Sequence, residues 1–193
     1  MQGCSTGYFL TFVSRKEKTM TMSETGNVQF RRASADDVPG IMEIIDYARE
    51  KMLEAGKRQW DASYPTLEHI SGDLEAGHGY VLCADGEIAA YGAVVFGEEP
   101  AYRHIRGGSW LSIQPYVVLH RLAVSGKYKR NGMATRFMAE VEAMMRMRGV
   151  HSFKVDTNYD NEAMLSLLDK LQFRYCGEIE YEKGTRMAYE KLI

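Results

Sequence analysis

Residues 117 to 135, Val-Val-Leu-His-Arg-Leu-Ala-Val-Ser-Gly-Lys-Tyr-Lys-Arg-Asn-Gly-Met-Ala-Thr, hold the densest chemistry of the chain. The apolar run from Val117 to Val124 predicts a buried strand. A turn with Gly126, Gly132 and three cations follows, and a helical period opens at Asn131. A strand, a phosphate-sized loop and a helix N-terminus present main-chain N–H groups that no intrahelical carbonyl can take, at the positive end of a helix dipole. Lys127, Lys129 and Arg130 add full charges, so the chemistry expected here is the binding of an anion. A Walker loop would end in Gly-Lys-Ser/Thr, and a dinucleotide fold would carry three glycines with an acidic residue about twenty positions on; neither pattern is present. A strand-to-helix turn with a solvated basic rim explains the hexapeptide Lys129 to Ala134 equally well at this point.

The elements that position this loop follow from the rest of the chain. Val28 to Arg32 alternates apolar and polar residues as a half-buried strand does. Ser34 or Asp36 can cap a helix with Pro39 in its first turn and an apolar stripe at Ile41, Ile44, Ile45, Ala48 and Met52, which Gly56 ends. An aromatic-rich connection, Gln59 to Pro65, leads to a second helix near Thr66 to Glu75. Gly79 to Ala84 and Ile88 to Phe96 read as a hairpin turned by Asp85-Gly86, and Gly97 to Pro115 as a long connection. After the central strand, Asn131 to Arg148 carries Ala134, Phe137, Met138, Val141 and Met145 at helical spacing. Ser152 to Asp156 then returns as a strand parallel to 117–124. Phe173 to Cys176 and Thr185 to Leu192 are expected as strands around an excursion from Gly177 to Gly184.

Composition bounds the functional classes. With 193 residues, 45% apolar and 26% charged, the chain has the make-up of one folded domain rather than of a disordered or fibrous segment. We expect a loosely ordered tail over residues 1–26 and a single domain over 27–193. A net charge of −2 argues against a dedicated nucleic-acid binder. Cys4, Cys83 and Cys176 are too scattered for a zinc site or a disulfide framework, so a reducing cytoplasm and no metal are expected. Tyr8 to Val13 is too short to cross a bilayer, and its charges follow it where a signal peptide needs them first. No membrane partner is expected.

Two motifs, taken in order, resemble one family. Lys129-Arg130-Asn131-Gly132-Met133-Ala134 resembles the Arg/Gln-x-x-Gly-x-Gly/Ala signature of the GNAT superfamily, the acyl-CoA-dependent N-acetyltransferases, with Lys129 where Arg or Gln is usual. Asn158 to Phe173 resembles that family's second signature, Asn-x-x-Ala-x-x-Leu-Tyr-x-Lys-x-Gly-Phe: Asn161, Leu167, Lys170 and Phe173 match. Ala163 lies one position early, Leu168 stands where tyrosine is common, and Gln172 stands where glycine is usual. The resemblance covers residues 28 to 193. It implies an α/β GNAT fold: a mixed, mostly antiparallel sheet with a splayed pair of parallel strands, flanked by about four helices. It also implies acetyl-CoA as co-substrate. Lys129, Arg130, Asn131, Gly132, Met133, Ala134 and Thr135 would hold its pyrophosphate, the backbone of Leu122, Ala123 and Val124 would pair with the pantetheine amides, and Asn161 would face the cofactor arm. Trp60 and Tyr64 would line the acceptor pocket, although a hydrophobic plug over the sheet is their simplest reading.

The chemistry so implied moves an acetyl group to a primary amine by direct transfer in a ternary complex. The amine has to lose a proton before it can attack, since an alkyl ammonium with a pKa near roughly 10 has no lone pair. His120 is the candidate base: its unperturbed pKa of about 6.5 leaves it largely neutral at pH 7, and simple alternation puts it on the strand face of Leu122. Its strand, His-x-Leu-Ala-Val, resembles that of the serotonin N-acetyltransferase branch. A core histidine bonded to a backbone carbonyl is the competing reading. His104 and His151 have weaker claims. With Leu168 unable to protonate a leaving thiolate, Tyr159 is the candidate acid, and Cys176 is a less favoured acyl-carrying nucleophile. Glu98 and Glu99 could attract a cationic acceptor, though solvation is the simpler expectation. The acceptor can be a small-molecule amine or a peptide N-terminus, and a homodimer is left open. A catalytically weak acyl-CoA-binding module, acting as sensor or partner subunit, is the alternative that Leu168 keeps alive.

Overall fold

Strand β1 (Val28–Arg32) opens a sheet whose next two strands, β2 (Gly79–Ala84) and β3 (Glu87–Phe96), form the hairpin expected from Asp85-Gly86. Both turn residues have positive φ, 52° and 84°, the requirement of a type I′ turn. The computed structural model describes residues 27–57, 59–182 and 184–193, so the tail expected over residues 1–26, with Cys4, lies outside the described residues. Eight strands, with β4 at Ile105–Arg106, β5 at Tyr116–Val124, β6 at Ser152–Thr157, β7 at Arg174–Tyr181 and β8 at Gly184–Leu192, lie in the order β1-β2-β3-β5-β6-β8-β7-β4. Of these, β5 (Tyr116–Val124) and β6 (Ser152–Thr157) run parallel and every other neighbouring pair among the described strands is antiparallel.

Alternation along the central strands sends side chains to two different cores. Val81, Cys83, Tyr91 and Ala123 meet Ile41, Ile44 and Ile45 of α1 (Val38–Glu54) and Ile70 of α2 (Leu67–Glu75). Tyr80, Leu82, Val94, Val117, Leu119, Phe153 and Val155 meet Phe137, Met138, Val141 and Met145 of α3 (Met133–Arg148) and Leu168 of α4 (Glu162–Lys170). The four helices thus cover the sheet two to a face. Leu168, at the position where the second motif commonly has tyrosine, is fully buried in the second core.

Three expected boundaries differ. Helix α3 starts at Met133 rather than Asn131, because Arg130 and Gly132 take left-handed backbone (φ 63° and 75°) that no helix interior adopts. The excursion from Gly177 to Gly184 is not a loop: β7 (Arg174–Tyr181) runs through it and pairs directly with β8 (Gly184–Leu192). The ladder bulges between Tyr175 and Gly177, and Gly177 has φ 139° with the carbonyl oxygen of Arg106 so close that an added Cβ would lie 2.5 Å from it. The long connection 97–115 is organised as well. It holds a 3-10 turn at Pro100–Arg103 and a two-residue strand β4 (Ile105–Arg106) on β7. The buried carboxylate of Glu190 accepts from the Leu111 N–H and the hydroxyls of Ser112 and Ser152.

Candidate active site

Strands β5 and β6 pair only through Tyr116–Val118 and Ser152–Lys154, after which they diverge. The cause lies on the other side of β5. Arg121 and Leu122 together oppose Gly92 of β3, and Arg121 has φ 56°, so a bulge bends β5 away from its parallel neighbour. A non-glycine residue in this conformation costs roughly 1–2 kcal/mol and needs holding. The Arg121 guanidinium is held by both oxygens of buried Asp73, on α2, and it donates to the Tyr64 hydroxyl at 3.0 Å. Asp73 also accepts from the Tyr91 hydroxyl at 2.7 Å, which burial and the neighbouring carboxylate push well above the ordinary tyrosine range and so keep protonated. Removing Asp73 would strand a buried guanidinium. Asp73→Ala is therefore expected to lose about 3–5 kcal/mol of stability, and Asp73→Asn less, as read from chemical unfolding curves. An unfolding curve for Asp73→Ala like that of the parent would mean that the bulge stands without its carboxylate.

The bulge changes which residues share a face. His120 lies opposite Ala93 and Ala123 opposite Tyr91, so these two point to the α1 and α2 side, whereas Leu122 packs with the α3 and α4 core. The expectation that His120 and Leu122 share a face is therefore corrected, because the extra residue slips the two-residue alternation by one.

Below the fork the chain makes the anion loop. After Val124, Ser125 donates to the Ala89 carbonyl and a 3-10 turn covers Gly126–Tyr128. The ring of Tyr47 fills the space beside Gly126, where an added Cβ would lie 2.8 Å from it, and the Lys129 ammonium rests 4.7 Å from that ring's centroid. Lys127 turns aside to Glu87, at 2.6 Å. Gly132 is the N-cap of α3 with no side-chain cap bond, and the first intrahelical bond there is from the Arg136 N–H to the Gly132 carbonyl. The amides of Met133, Ala134 and Thr135 therefore precede the helical ladder, and space for a Cβ on Gly132 is open to beyond 4 Å. These amides, the dipole of a sixteen-residue helix and the adjoining fork fit a diphosphate followed by an extended amide chain.

The wide end of the fork is a cleft lined by Leu119, His120, Arg121 and Leu122 of β5, Val155 and Asp156 of β6, and Asn161 and Met164 beside or on α4. Trp60, Tyr64, Gln59 and Arg186 complete it. Trp60 is buried with the isoleucines of α1 and so serves as both plug and cleft wall. Asn161 caps α4 by accepting from the Met164 N–H, and its amide donates to Gln59 at 2.9 Å, which ties the first connection to the second motif. Tyr159 lies apart: it is 78% exposed in the turn before α4 and is not among the cleft residues. The His120 ring is 3.1 Å from the Glu99 carboxylate through Nε2, and the pair is largely buried. Glu99 is thus not the solvated residue expected from the sequence. The hydrogen bond from His120 holds its carboxyl below the usual range. Glu98 is exposed and pairs with Arg103.

Sequence reasoning also missed Asp156. Its carboxylate accepts from the hydroxyls of Tyr102 and Tyr181, at 2.9 and 3.1 Å, and from Arg186 at 3.2 Å. Burial, reinforced by that carboxylate, pushes both tyrosines far above their ordinary range, so they serve as hydrogen-bond donors and are poor acids. The strand Ser-Phe-Lys-Val-Asp-Thr alternates polar and apolar residues, so Asp156 carried no local signal of burial. Cys176 lies away from the cleft, and burial pushes its thiol up. Among the described residues, no group of three or more His, Cys, Asp or Glu is arranged to hold a metal ion, and no helix is long and apolar enough to cross a membrane.

Residues 42–173 match the family model described as Acetyltransferase (GNAT) family. Over 144 residues the chain is 23% identical to the uncharacterized N-acetyltransferase YesJ of Bacillus subtilis (strain 168), an alignment that spans 74% of this chain and 79% of that protein. A GNAT-family acetyltransferase structure from Streptococcus agalactiae 2603 superposes with a TM-score of 0.79 at 32% identity, covering 86% of this chain and 95% of that one. The fold of yncA from Salmonella typhimurium, solved with its cofactor acetyl-CoA, superposes with a TM-score of 0.57 at 16% identity over 86% of this chain and 93% of its own.

Proposed function

Because the chain belongs to the GNAT acetyltransferase family, we propose that it moves the acetyl group of acetyl-CoA to a primary amine by direct transfer in a ternary complex. The observation that carries this reading is the fork: β5 leaves β6 beyond Val118 and does so next to the uncapped amides of α3. The amides of Met133, Ala134 and Thr135, with Gly132 as an unobstructed approach and Lys129, Arg130 and Asn131 on the rim, receive the diphosphate. The unpaired edge of β5 at Leu122, Ala123 and Val124 takes the pantetheine amides as an added strand would, and a main-chain N–H near Val124 receives the charge that develops on the thioester oxygen. Asn161 closes the α4 side through Gln59 rather than by its amide alone. Trp60 and Tyr64 wall the acceptor end.

His120 is the base that accepts the ammonium proton, directly or through water. The freed amine attacks the thioester carbon, the C–S bond breaks and the thiolate leaves, while the new amide nitrogen gives its second proton to the departing thiolate, directly or through water. Tyr159 lies too exposed to serve readily as the acid, and Tyr102 and Tyr181 hold their protons on Asp156. A thiol with pKa near roughly 8.5 is a tolerable leaving group without one. The raised, buried thiol of Cys176 speaks against an acyl-enzyme. A small amine or a peptide N-terminus is the acceptor, and two buried free thiols, Cys83 and Cys176, suit a reducing cytoplasm. Full burial of Leu168 favours one second reading, a module that binds acyl-CoA with little turnover. Calorimetric titration with acetyl-CoA and release of free CoA over a panel of amines and peptides separate the two. We expect binding together with turnover; binding without turnover on every acceptor would favour the module, and no binding would end both readings.

A further inference from the structure

We propose that Glu99 is a positioning residue for the proton transfer: its carboxylate holds the Nε2–H of His120, fixes the neutral ring in one tautomer, and leaves Nδ1 as the nitrogen that takes the ammonium proton. The inference rests on His120 being the base. It follows from donor and acceptor chemistry at the contact. A carboxylate held below its usual range has no proton to give, so the hydrogen between Glu99 Oε2 and His120 Nε2, 3.1 Å apart, belongs to the imidazole. With Nε2 carrying the proton, the lone pair of the neutral ring is on Nδ1. When Nδ1 gains a second proton, the positive charge develops beside a carboxylate, with both side chains mostly shielded from water (16% and 22% exposed), where the attraction is stronger than at the surface.

Glu99 is placed firmly enough to do this. It is the N-cap of the 3-10 turn Pro100–Arg103: its second oxygen accepts from the Ala101 N–H, and its own backbone N–H donates to the Tyr116 hydroxyl at 3.0 Å. Three residues on, Tyr102 is buried. Its hydroxyl is bonded to Asp156, its carbonyl accepts from the Trp110 indole N–H at 2.9 Å, and Glu190 ties down Leu111 and Ser112 beyond. The connection 97–115 thereby acts as a splint that brings one carboxylate to the ring from outside β5.

The test combines spectra and rates on the whole chain. Long-range 1H–15N correlations of the imidazole-labelled protein at alkaline pH should show the neutral His120 ring protonated at Nε2, and Glu99→Ala should give a mixture of tautomers. Glu99→Gln keeps an acceptor oxygen without the charge, so it should retain the tautomer with a smaller loss of rate. We expect kcat of Glu99→Ala to fall about tenfold, part of the roughly 10²–10⁴ a general base supplies, with KM for acetyl-CoA within about twofold. The double variant Glu99→Ala/His120→Ala should be no slower than His120→Ala alone, since the two act as one unit. A ring protonated at Nδ1 in the parent protein, a ring doubly protonated throughout the active pH range, or losses that multiply in the double variant would overturn the proposal. If His120→Ala leaves kcat unchanged, the base reading fails and takes Glu99's role with it. An active base on an Nδ1-protonated ring sinks the Glu99 proposal alone.

Discussion

Acetyl-CoA affinity is expected to fall by at least about a hundredfold in Gly132→Glu, a loss of roughly 2.8 kcal/mol at 1.4 kcal/mol per tenfold. The residue is the N-cap of α3, at φ 75°, and a Cβ there meets no protein atom within 4 Å. A glutamate side chain would therefore project into the space proposed for the diphosphate. It would bring a like charge to the helix N-terminus, where it could itself satisfy the amides of Met133 to Thr135. The backbone contribution is separable. Any residue other than glycine in this conformation costs roughly 1–2 kcal/mol, so Gly132→Ala should lower the melting temperature about as much as Gly132→Glu while keeping most of the affinity. Calorimetry on the two variants, with melting curves as the control, reads both effects. Normal affinity in Gly132→Glu would show that the diphosphate is held elsewhere.

Local chemistry was legible in the sequence and long-range chemistry was not. Asp85-Gly86 announced its hairpin, because few residue pairs tolerate two positive φ angles in succession. The loop from Ser125 to Gly132 was readable for a similar reason: cations, glycines and the start of a helical period lie within one short segment. The run Glu178-Ile179-Glu180-Tyr181 carries the two-residue alternation of a strand, yet the glycine before it reads as a break until β4 is seen to pass beside it. The bulge at Arg121 had no local sign at all. Its support comes from Asp73, 48 positions away, and Tyr64, 57 away, and no periodicity encodes such a contact. Glu99 was hidden in the same way, since only the folded course of 97–115 brings it to His120. The missed side chains are therefore the ones whose partners lie far away along the chain.

Replacing the proposed base should separate chemistry from binding. In His120→Ala we expect kcat to fall by about 10²-fold or more, within the range that a positioned general base contributes, with acetyl-CoA affinity changed less than about threefold. The two effects can differ this much because His120 lines the wide end of the cleft, whereas the proposed diphosphate site begins past the bulge and past Val124. The pH profile carries the sign. With the histidine present, kcat rises as pH increases because the ring has to be neutral to take the ammonium proton. Without it, the acid limb should follow the acceptor alone, and activity should recover toward the pKa of an alkyl ammonium, near roughly 10. Because the ring contacts Glu99 within a partly buried wall, a fall in stability could mimic a loss of rate. His120→Gln, which preserves polarity and much of the volume, should melt close to the parent and still lack activity. A His120→Ala enzyme with unchanged kcat and an unchanged acid limb would remove the imidazole from the mechanism. The proton would then have to leave by another route through the same cleft, whose lining includes the Asp156 carboxylate.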